Sequence, residues 1–501
     1  MKKFNLRIAI LLFLFICGDH AFSQTAGIKS GAIYTLKSKV NDKLIDVSNA
    51  SMDNGANIDC WTNTNSNAER WIVAQVGKRI YTFTNVASGK LLHLVGQPAD
   101  ASKLDQSENT NNDDVKWRIK KAGHGSYYLR PAANLKFSVS VQGDGTADGN
   151  LVGLSRSAVE NKQKWIFQKE APQAAAPTAA IADKVFDAWY AQYNIETSKG
   201  FWGRAEMMEI LLDAYEVTKD VKYINRFKIM YDNFITDNKA DWMYNNYNDD
   251  ITWAVLFCVR GYLLTGNKTY LDKGKEQFDK MYARAATNKY GGGLNWYETK
   301  TSKNACINGP AMVACCYLAQ ATGDSTYYDK AISLYTWSKV YLLNTATGKV
   351  NDNIDIDKKT GLVKTGTWSS TYNQGTYLGA AVMLYNYTKE KSYLAEAVKI
   401  AEYTRDSMYH SKVINNEDGG NDLPGFKGIF MRYARKYTVE GHQSDLIDWL
   451  FLNAKVAYDN RNSLNLIQTN WGTRTGETKP KSDFGASSAV SLLMNSFPLK
   501  H

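Results

Sequence analysis

The chain has 501 residues, of which 22% are charged and 12% aromatic, with 13 Trp and 31 Tyr. That length allows two or three domains. A formal charge of +10 spread without a Lys/Arg block leaves no footprint for nucleic acid, and no Cys/His spacing or EF-hand pattern asks for a metal, so neither a nucleic-acid partner nor a cofactor is expected.

At the N-terminus, Lys2, Lys3 and Arg7 precede an apolar run from Ile8 to Cys17, and small residues follow at Ala21 and Ser23. This is the pattern of a secretory signal peptide over residues 1–23, too short for a membrane span. An exported protein follows, placed in the periplasm, at the cell surface or in the medium. No later stretch suits a bilayer crossing. Loss of the segment removes three basic residues, one acidic residue and Cys17, leaving about +8 and the cysteines at 60, 258, 306, 315 and 316. An odd, sparse set is no disulfide framework.

Residues 28–168 alternate over short segments, "LIDVS", "IYTFTN" and "YYLRP", broken by Gly, Asn, Asp and Ser, which is all-β chemistry. A repeat underlies it. "ERW", "VKW" and "QKW" end at Trp71, Trp117 and Trp165, 46 and 48 residues apart, and each follows a matching strand: "KLIDVS", "KLLHLV" and "KFSVSV". Three copies of a four-strand unit predict a closed, pseudo-threefold β barrel with the indoles in its core. The segment resembles the ricin-B-type β-trefoil lectins, carbohydrate-binding module family 13, whose repeats carry Q-x-W; here only Gln163-Lys164-Trp165 is complete. The resemblance implies a sugar site built from a strand Asp and a stacking ring. The first repeat supplies Asp46 and Trp61, whereas His93 and Val139 stand at the matching strand position of the other two.

Residues 169–180, "KEAPQAAAPTAA", read as a semi-rigid linker. Beyond it, residues 181–499 take helical periodicity, with a second repeat. Thr-x-[Asp/Asn/Glu]-x-x-Tyr occurs at Thr218, Thr265, Thr322 and Thr388, each marking a turn that closes one helix and caps the next. About twelve helices are predicted, near 183–194, 203–217, 221–235, 250–264, 268–284, 309–321, 325–342, 373–387, 391–408, 426–437, 442–459 and 483–496. Six hairpins suit an (α/α)₆ barrel. The expected fold is therefore multidomain: an all-β trefoil followed by an all-α (α/α)₆ barrel.

The long loops 241–248, 288–300, 366–375 and 470–476 are aromatic and amide-rich, the composition of a polysaccharide groove. Asp249 and Asp250 stand at the first turn of a core-facing helix. Such a pair is ordinarily a cap, with one acid complementing the helix dipole. Here Trp242, Tyr244, Tyr247 and Trp253 surround it, and cleavage of a glycosidic bond needs one ionised and one protonated carboxyl. Either acid can take either role on this reading.

The helical half resembles glycoside hydrolase family 76, the endo-α-1,6-mannanases, through "FWGRAEMMEILLDAYEVTKD" (201–220), "YNDDITWAVLFCVRGYLLTGN" (247–267), "GGGLNWYETKTSKNACINGPAMVACCYLAQATGD" (291–324), "YNQGTYLGAAVMLY" (372–385) and "FKGIFMRY" (426–433). The resemblance implies an endo-acting, retaining enzyme on α-1,6-mannan, with Asp249 as nucleophile and Asp250 as acid/base; a monomer is expected. It also implies that Trp202, Asn248, Trp296, Asn308, Tyr372, Asn373 and Gln374 line the cleft. Glu206, Lys427 and Arg432 are expected as a buried charge network beneath it. The rival readings are a mannan transglycosidase, an (α/α)₆ hydrolase of another glycan, and a non-catalytic glycan-binding protein.

Overall fold

A computed structural model describes residues 27–499 apart from 65, 109–111, 144–145, 171–174, 358, 411–412 and 421. The expected signal peptide and residues 171–174 of the expected linker lie outside the described residues, and the linker's first residue, Lys169, ends the last strand of the first unit. The chain forms two compact units, Met1–Pro172 and Gln173–His501.

Among the described residues twelve strands build the first unit: β1 Ala32–Ser38, β2 Leu44–Val47, β3 Ile58–Trp61, β4 Arg70–Gly77, β5 Ile80–Asn85, β6 Leu91–Leu94, β7 Leu104–Ser107, β8 Trp117–Gly123, β9 Ser126–Pro131, β10 Phe137–Val141, β11 Asn150–Arg156 and β12 Trp165–Lys169. The antiparallel pairs β1–β4, β4–β5, β5–β8, β8–β9, β9–β12 and β12–β1 close a ring of six strands. The remaining strands form the hairpins β2–β3, β6–β7 and β10–β11. Closure leaves the ring without a free edge. The three repeat tryptophans are buried in its core, and each indole donates to a backbone carbonyl in the second strand of its own repeat: Trp71 to Ile45, Trp117 to Leu92 and Trp165 to Val139, at 3.2, 3.0 and 3.0 Å.

Those bonds correct the repeat register. Ile45, Leu92 and Val139 are equivalent, so the residue matching Asp46 and His93 is Ser140, not Val139. Strand pairing agrees: Asp46 faces Asp59, His93 faces Asp105, and Ser140 faces Gly153. The third strand carries one extra residue after its lysine, which a fixed offset from the lysine conceals.

Among the described residues the second unit has twelve α-helices: α1 Ala179–Gln192, α2 Trp202–Thr218, α3 Val221–Asn238, α4 Asn248–Thr265, α5 Lys268–Ala285, α6 Ala305–Thr322, α7 Thr326–Tyr341, α8 Thr371–Thr388, α9 Lys391–Ser407, α10 Phe426–Val439, α11 Ile447–Asp459 and α12 Asp483–Ser496. The even-numbered helices touch in a closed cycle from α2 through α12 and back to α2, and α3, α5, α7 and α9 each pack against the helix before them. Inner and outer helices differ as this arrangement requires. The first fifteen residues of α6 are all buried, while α5 buries a stripe including Tyr270, Gly274, Phe278 and Met281. Three starts differ from expectation by four residues or more. Helix α1 takes up the last two residues of the expected linker, α6 begins at Ala305 rather than 309, with Pro310 inside the helix instead of at its start, and α11 begins at Ile447 rather than 442.

The threonine repeat is a turn device. In Thr218, Thr265, Thr322 and Thr388 the hydroxyl donates to the carbonyl four residues back, at 2.6 to 2.8 Å, and accepts from the N–H two residues on, at 3.1 to 3.2 Å. The next residue, Lys219, Gly266, Gly323 or Lys389, adopts positive φ and ends the helix. Asp220 and Asn267 then cap the following helix through its second N–H, and Asp324 accepts from the N–H of Thr326, the first residue of α7. These tight turns join inner to outer helices at one end of the ring, leaving the long loops to the end where inner helices begin.

A buried ion network ties the inner helices together. Glu206, Glu209, Asp213 and Glu216 line one face of α2. Arg260 of α4 reaches Glu209, Asp213 and Glu216 at 2.8 to 2.9 Å, and Arg432 of α10 reaches Glu206 at 2.8 Å and Asp213 at 2.9 Å. Lys427, expected to join Glu206 and Arg432, does not: its buried ammonium sits 4.3 Å from the Trp471 ring, near Glu417. Replacing Thr322 by Val removes both bonds of one turn and is expected to cost about 1–2 kcal/mol, a fall in Tm of a few degrees measurable by calorimetry.

Candidate active site

The first turns of five inner helices meet around one cleft of about 650 Å³. Trp202 comes from α2, Asp249, Asp250 and Trp253 from α4, Cys306 from α6, Tyr372 from α8 and Phe426 from α10. The intervening loops add Tyr247, Trp296, Asn304, Asp352, Trp368, Asp422 and Leu423. Helix N-termini converging on one space present unpaired N–H groups and positive dipole ends to it, a setting that tolerates acids.

Neither aspartate caps α4. Tyr247 occupies the N-cap position without a side-chain bond, and both carboxyls line the cleft. Asp249 is the deeper, at 9% exposure, and its Oδ2 accepts from the Trp296 indole at 3.1 Å. Oδ2 of Asp250 accepts from the Asn245 amide at 3.0 Å. Arg284 holds that amide's loop by donating to the carbonyls of Met243 and Asn245 and to the Asn248 side chain, at 2.9 to 3.0 Å.

Burial pushes both acids upward. Asp249 rises well above the usual carboxylate range because it is desolvated and because Asp250 lies beside it; the Cys306 thiol and the Trp296 indole oppose the shift. Asp250 is pushed up to about 6 by burial, a rise that Asn245 moderates and the Asp422 carboxylate increases. Two interacting carboxyls of this kind titrate as a unit, holding one proton between them near neutrality. Rings floor the space. Tyr372 stacks on Phe426 at 3.7 Å, Trp253 stacks on Tyr372 at 6.1 Å, and Trp202 is bonded through its indole to Asp422 at 3.0 Å.

Among the seven expected lining residues, Trp202, Trp296 and Tyr372 face the cleft. The other four do not line it, and three of them are held by bonds to neighbouring residues. Asn248 donates to the Asn295 carbonyl and accepts from Arg284, at 2.9 Å each. Asn308 pairs with the backbone N–H of Leu294 at 2.9 Å and donates to the Asn304 carbonyl. Gln374 accepts from the Val350 N–H at 2.6 Å and donates to the Gly348 carbonyl at 3.0 Å. Asn373 is buried inside the ring. Cys306, Asp352, Trp368 and Asp422 escaped the sequence reading. Trp368 lay within a loop already marked as aromatic, whereas nothing local distinguishes Asp352 or Asp422.

In the strand unit, Asp46 and Trp61 lie on one face of β2–β3, two positions apart. Trp61 is 37% exposed, Asp46 only 7%. Burial, then Asp59, then Glu69 push Asp46 up to about 8, so it is neutral at pH 7 and is not the open acceptor carboxylate that the lectin resemblance implies.

A cleft of this size, floored by rings and edged by acids, defines a carbohydrate-directed protein. The chain belongs to glycosyl hydrolase family 76, whose family model matches residues 173–499. Residues 22–107 and 67–155 match the ricin-type beta-trefoil lectin domain-like family. The chain is 36% identical over 118 residues to the Saccharomyces cerevisiae mannan endo-1,6-alpha-mannosidase DCW1, covering 22% of this chain and 26% of that protein. It is 25% identical over 235 residues to a putative mannan endo-1,6-alpha-mannosidase of Schizosaccharomyces pombe, covering 42% and 52%. The chain thus spans about a quarter to a half of the length of these curated relatives. The GH76A alpha-1,6-mannanase of Salegentibacter sp. HEL1_6 is similar in structure, with TM-score 0.58, 28% identity, and coverage of 64% of this chain and 98% of that one. An inactive variant of that mannanase, in which two consecutive aspartates are replaced by alanine, has been solved with alpha-1,6-mannotetrose.

The raised acids carry a stability consequence. Their folded pKa values exceed the unfolded value of about 4. Above that pH the unfolded chain releases protons that the folded cleft retains, so stability declines as pH rises towards neutrality. Asp249→Asn is therefore expected to raise Tm at pH 7.5 and change it little at pH 4, as read by scanning calorimetry.

Proposed function

We propose that this is an exported, retaining endo-α-1,6-mannanase, with an (α/α)₆ catalytic barrel and a β-trefoil glycan-binding module. One observation carries the catalytic reading: Asp249 and Asp250, the only consecutive aspartates after residue 173, both line a ring-floored cleft instead of capping their helix. The inactive aspartate-pair variant of the Salegentibacter mannanase supports it. The closed cycle of six inner helices supports the barrel, and the six-strand ring with three equivalent indole bonds supports the trefoil. Export rests on the pattern of residues 1–23.

Asp249 attacks the anomeric carbon, and Asp250 protonates the leaving oxygen, then deprotonates the water that releases the sugar. Burial alone would leave the shared proton on the deeper Asp249. The indole of Trp296, the Cys306 thiol and the start of α4 oppose this by stabilising an Asp249 anion. Positive charge developing on the sugar in the transition state favours that anion further, which places the proton on Asp250. In the strand unit, Trp61 stacks on sugar while neutral Asp46 serves as a hydrogen-bond donor.

Asp249→Asn and Asp250→Asn are each expected to lower kcat/KM on linear α-1,6-mannan by at least ~10³-fold while remaining folded. An active Asp249→Asn enzyme would overturn the assignment. The pH profile of kcat/KM is expected to be a bell whose acid limb lies near pH 6, since protonating both carboxyls removes the nucleophile. The first product seen by proton NMR should keep the α configuration.

A further inference from the structure

A second cavity of about 640 Å³ opens beside the cleft. The two share a wall. Leu423 lines the cleft and the adjacent Pro424 lines the second cavity; Phe484 lines the second cavity while its ring meets Trp202 of the cleft edge-on at 4.9 Å. Both spaces therefore lie at the end of the ring where the inner helices begin.

We propose that this cavity binds a neutral mannosyl residue of the polysaccharide beyond those held in the cleft; the proposal rests on the mannanase reading. Its walls carry the chemistry that sugar hydroxyls need. Asn416, Gln468, Thr469 and Asn470 offer amide and hydroxyl groups, Asp418 and Asp483 offer acceptors, and Phe484 offers a ring. With Lys481 the lone cation in the lining, two acids disfavour an anionic ligand.

The rim is built in advance. The Asn416 amide donates to Asp418 at 2.6 Å, fixing one side. On the other, Gln468 donates to the carbonyls of Thr473 and Arg474 at 3.2 Å, and Asn470 accepts from the Gly472 N–H at 3.2 Å. This accounts for the loop "NWGTRTG". Its tryptophan, Trp471, is fully buried beneath Lys427 and cannot stack on sugar, so the ring anchors the loop and Asn470 faces the cavity. A preorganised polar rim loses little freedom on binding.

The test is calorimetric titration of linear α-1,6-mannooligosaccharides of increasing length into the full chain carrying Asp249→Asn and Asp250→Asn, with and without Lys481→Trp. Lys481 is an exposed rim residue, so the indole fills the cavity without disturbing the core. Affinity should rise about tenfold at the length that reaches the cavity, as one or two added hydrogen bonds would give. Lys481→Trp should abolish that step and leave shorter oligosaccharides unaffected. Asp418→Ala, which adds no bulk, should weaken the same step several-fold. Loss confined to long linear chains identifies a backbone unit; loss confined to a backbone carrying one mannosyl branch identifies a side chain. Equal affinity of parent and both variants at every length would overturn the proposal, as would absence of any oligosaccharide binding. If the unsubstituted chain released no product from mannan while the length step and its loss persisted, the catalytic reading would fall and the binding pocket would stand.

Discussion

Arg260 and Arg432 hold the helical unit in register. Four acids on one face of α2 meet an arginine from the adjacent α4 and another from α10, which is not α2's neighbour in the ring. Buried charges of this kind gain little over a well-packed apolar core, but losing one partner strands the rest at a cost of about 3–5 kcal/mol. Slippage of α2, α4 or α10 along its axis is penalised accordingly. Asn495 of α12 joins by donating to Asp213 at 3.3 Å. The cleft depends on this because its lining residues sit at helix starts, where a shift of one residue would turn Asp249 or Phe426 out of position.

That frame permits a destabilised site. Two acids lie next to each other among rings, both above their ordinary pKa, with Asp422 adding charge near Asp250. The local preference of α4 would be to use Asp249 or Asp250 as its cap. The chain gives up that stabilisation, leaves the cap position to Tyr247, and aims both carboxyls at the cleft. Strain of this sort persists where surrounding structure over-determines it, as the Arg284 bonds to the 243–248 loop do here.

The architecture was legible because it repeats. Three tryptophans at near-equal spacing and four threonine turns each stand for a hydrogen-bond pattern that the structure contains at every copy. Aromatic lining was legible from composition. Asp352 and Asp422 were not, because a lone acid in a loop carries no local sign of the space it faces. Asn248, Asn308 and Gln374 were misplaced for a related reason: polar groups within a site motif suggest sugar contact, but buried loop backbone needs partners as much as a ligand does.

Those amides show how a residue can be required by a site without touching what binds there. Asn308 satisfies the N–H of Leu294, two residues before Trp296, and so fixes the loop segment that places the indole against Asp249. Asn248 accepts from Arg284, the same side chain that holds Asn245 against Asp250. Gln374 secures Val350 and Ser369, which flank the segment bearing Asp352 and Trp368. Each amide sits within the first turns of an inner helix, one turn or less from a cleft residue. The polar positions of the motifs therefore divide by depth: acids and rings reach into the cleft, and amides beneath them bind the loops that close its sides.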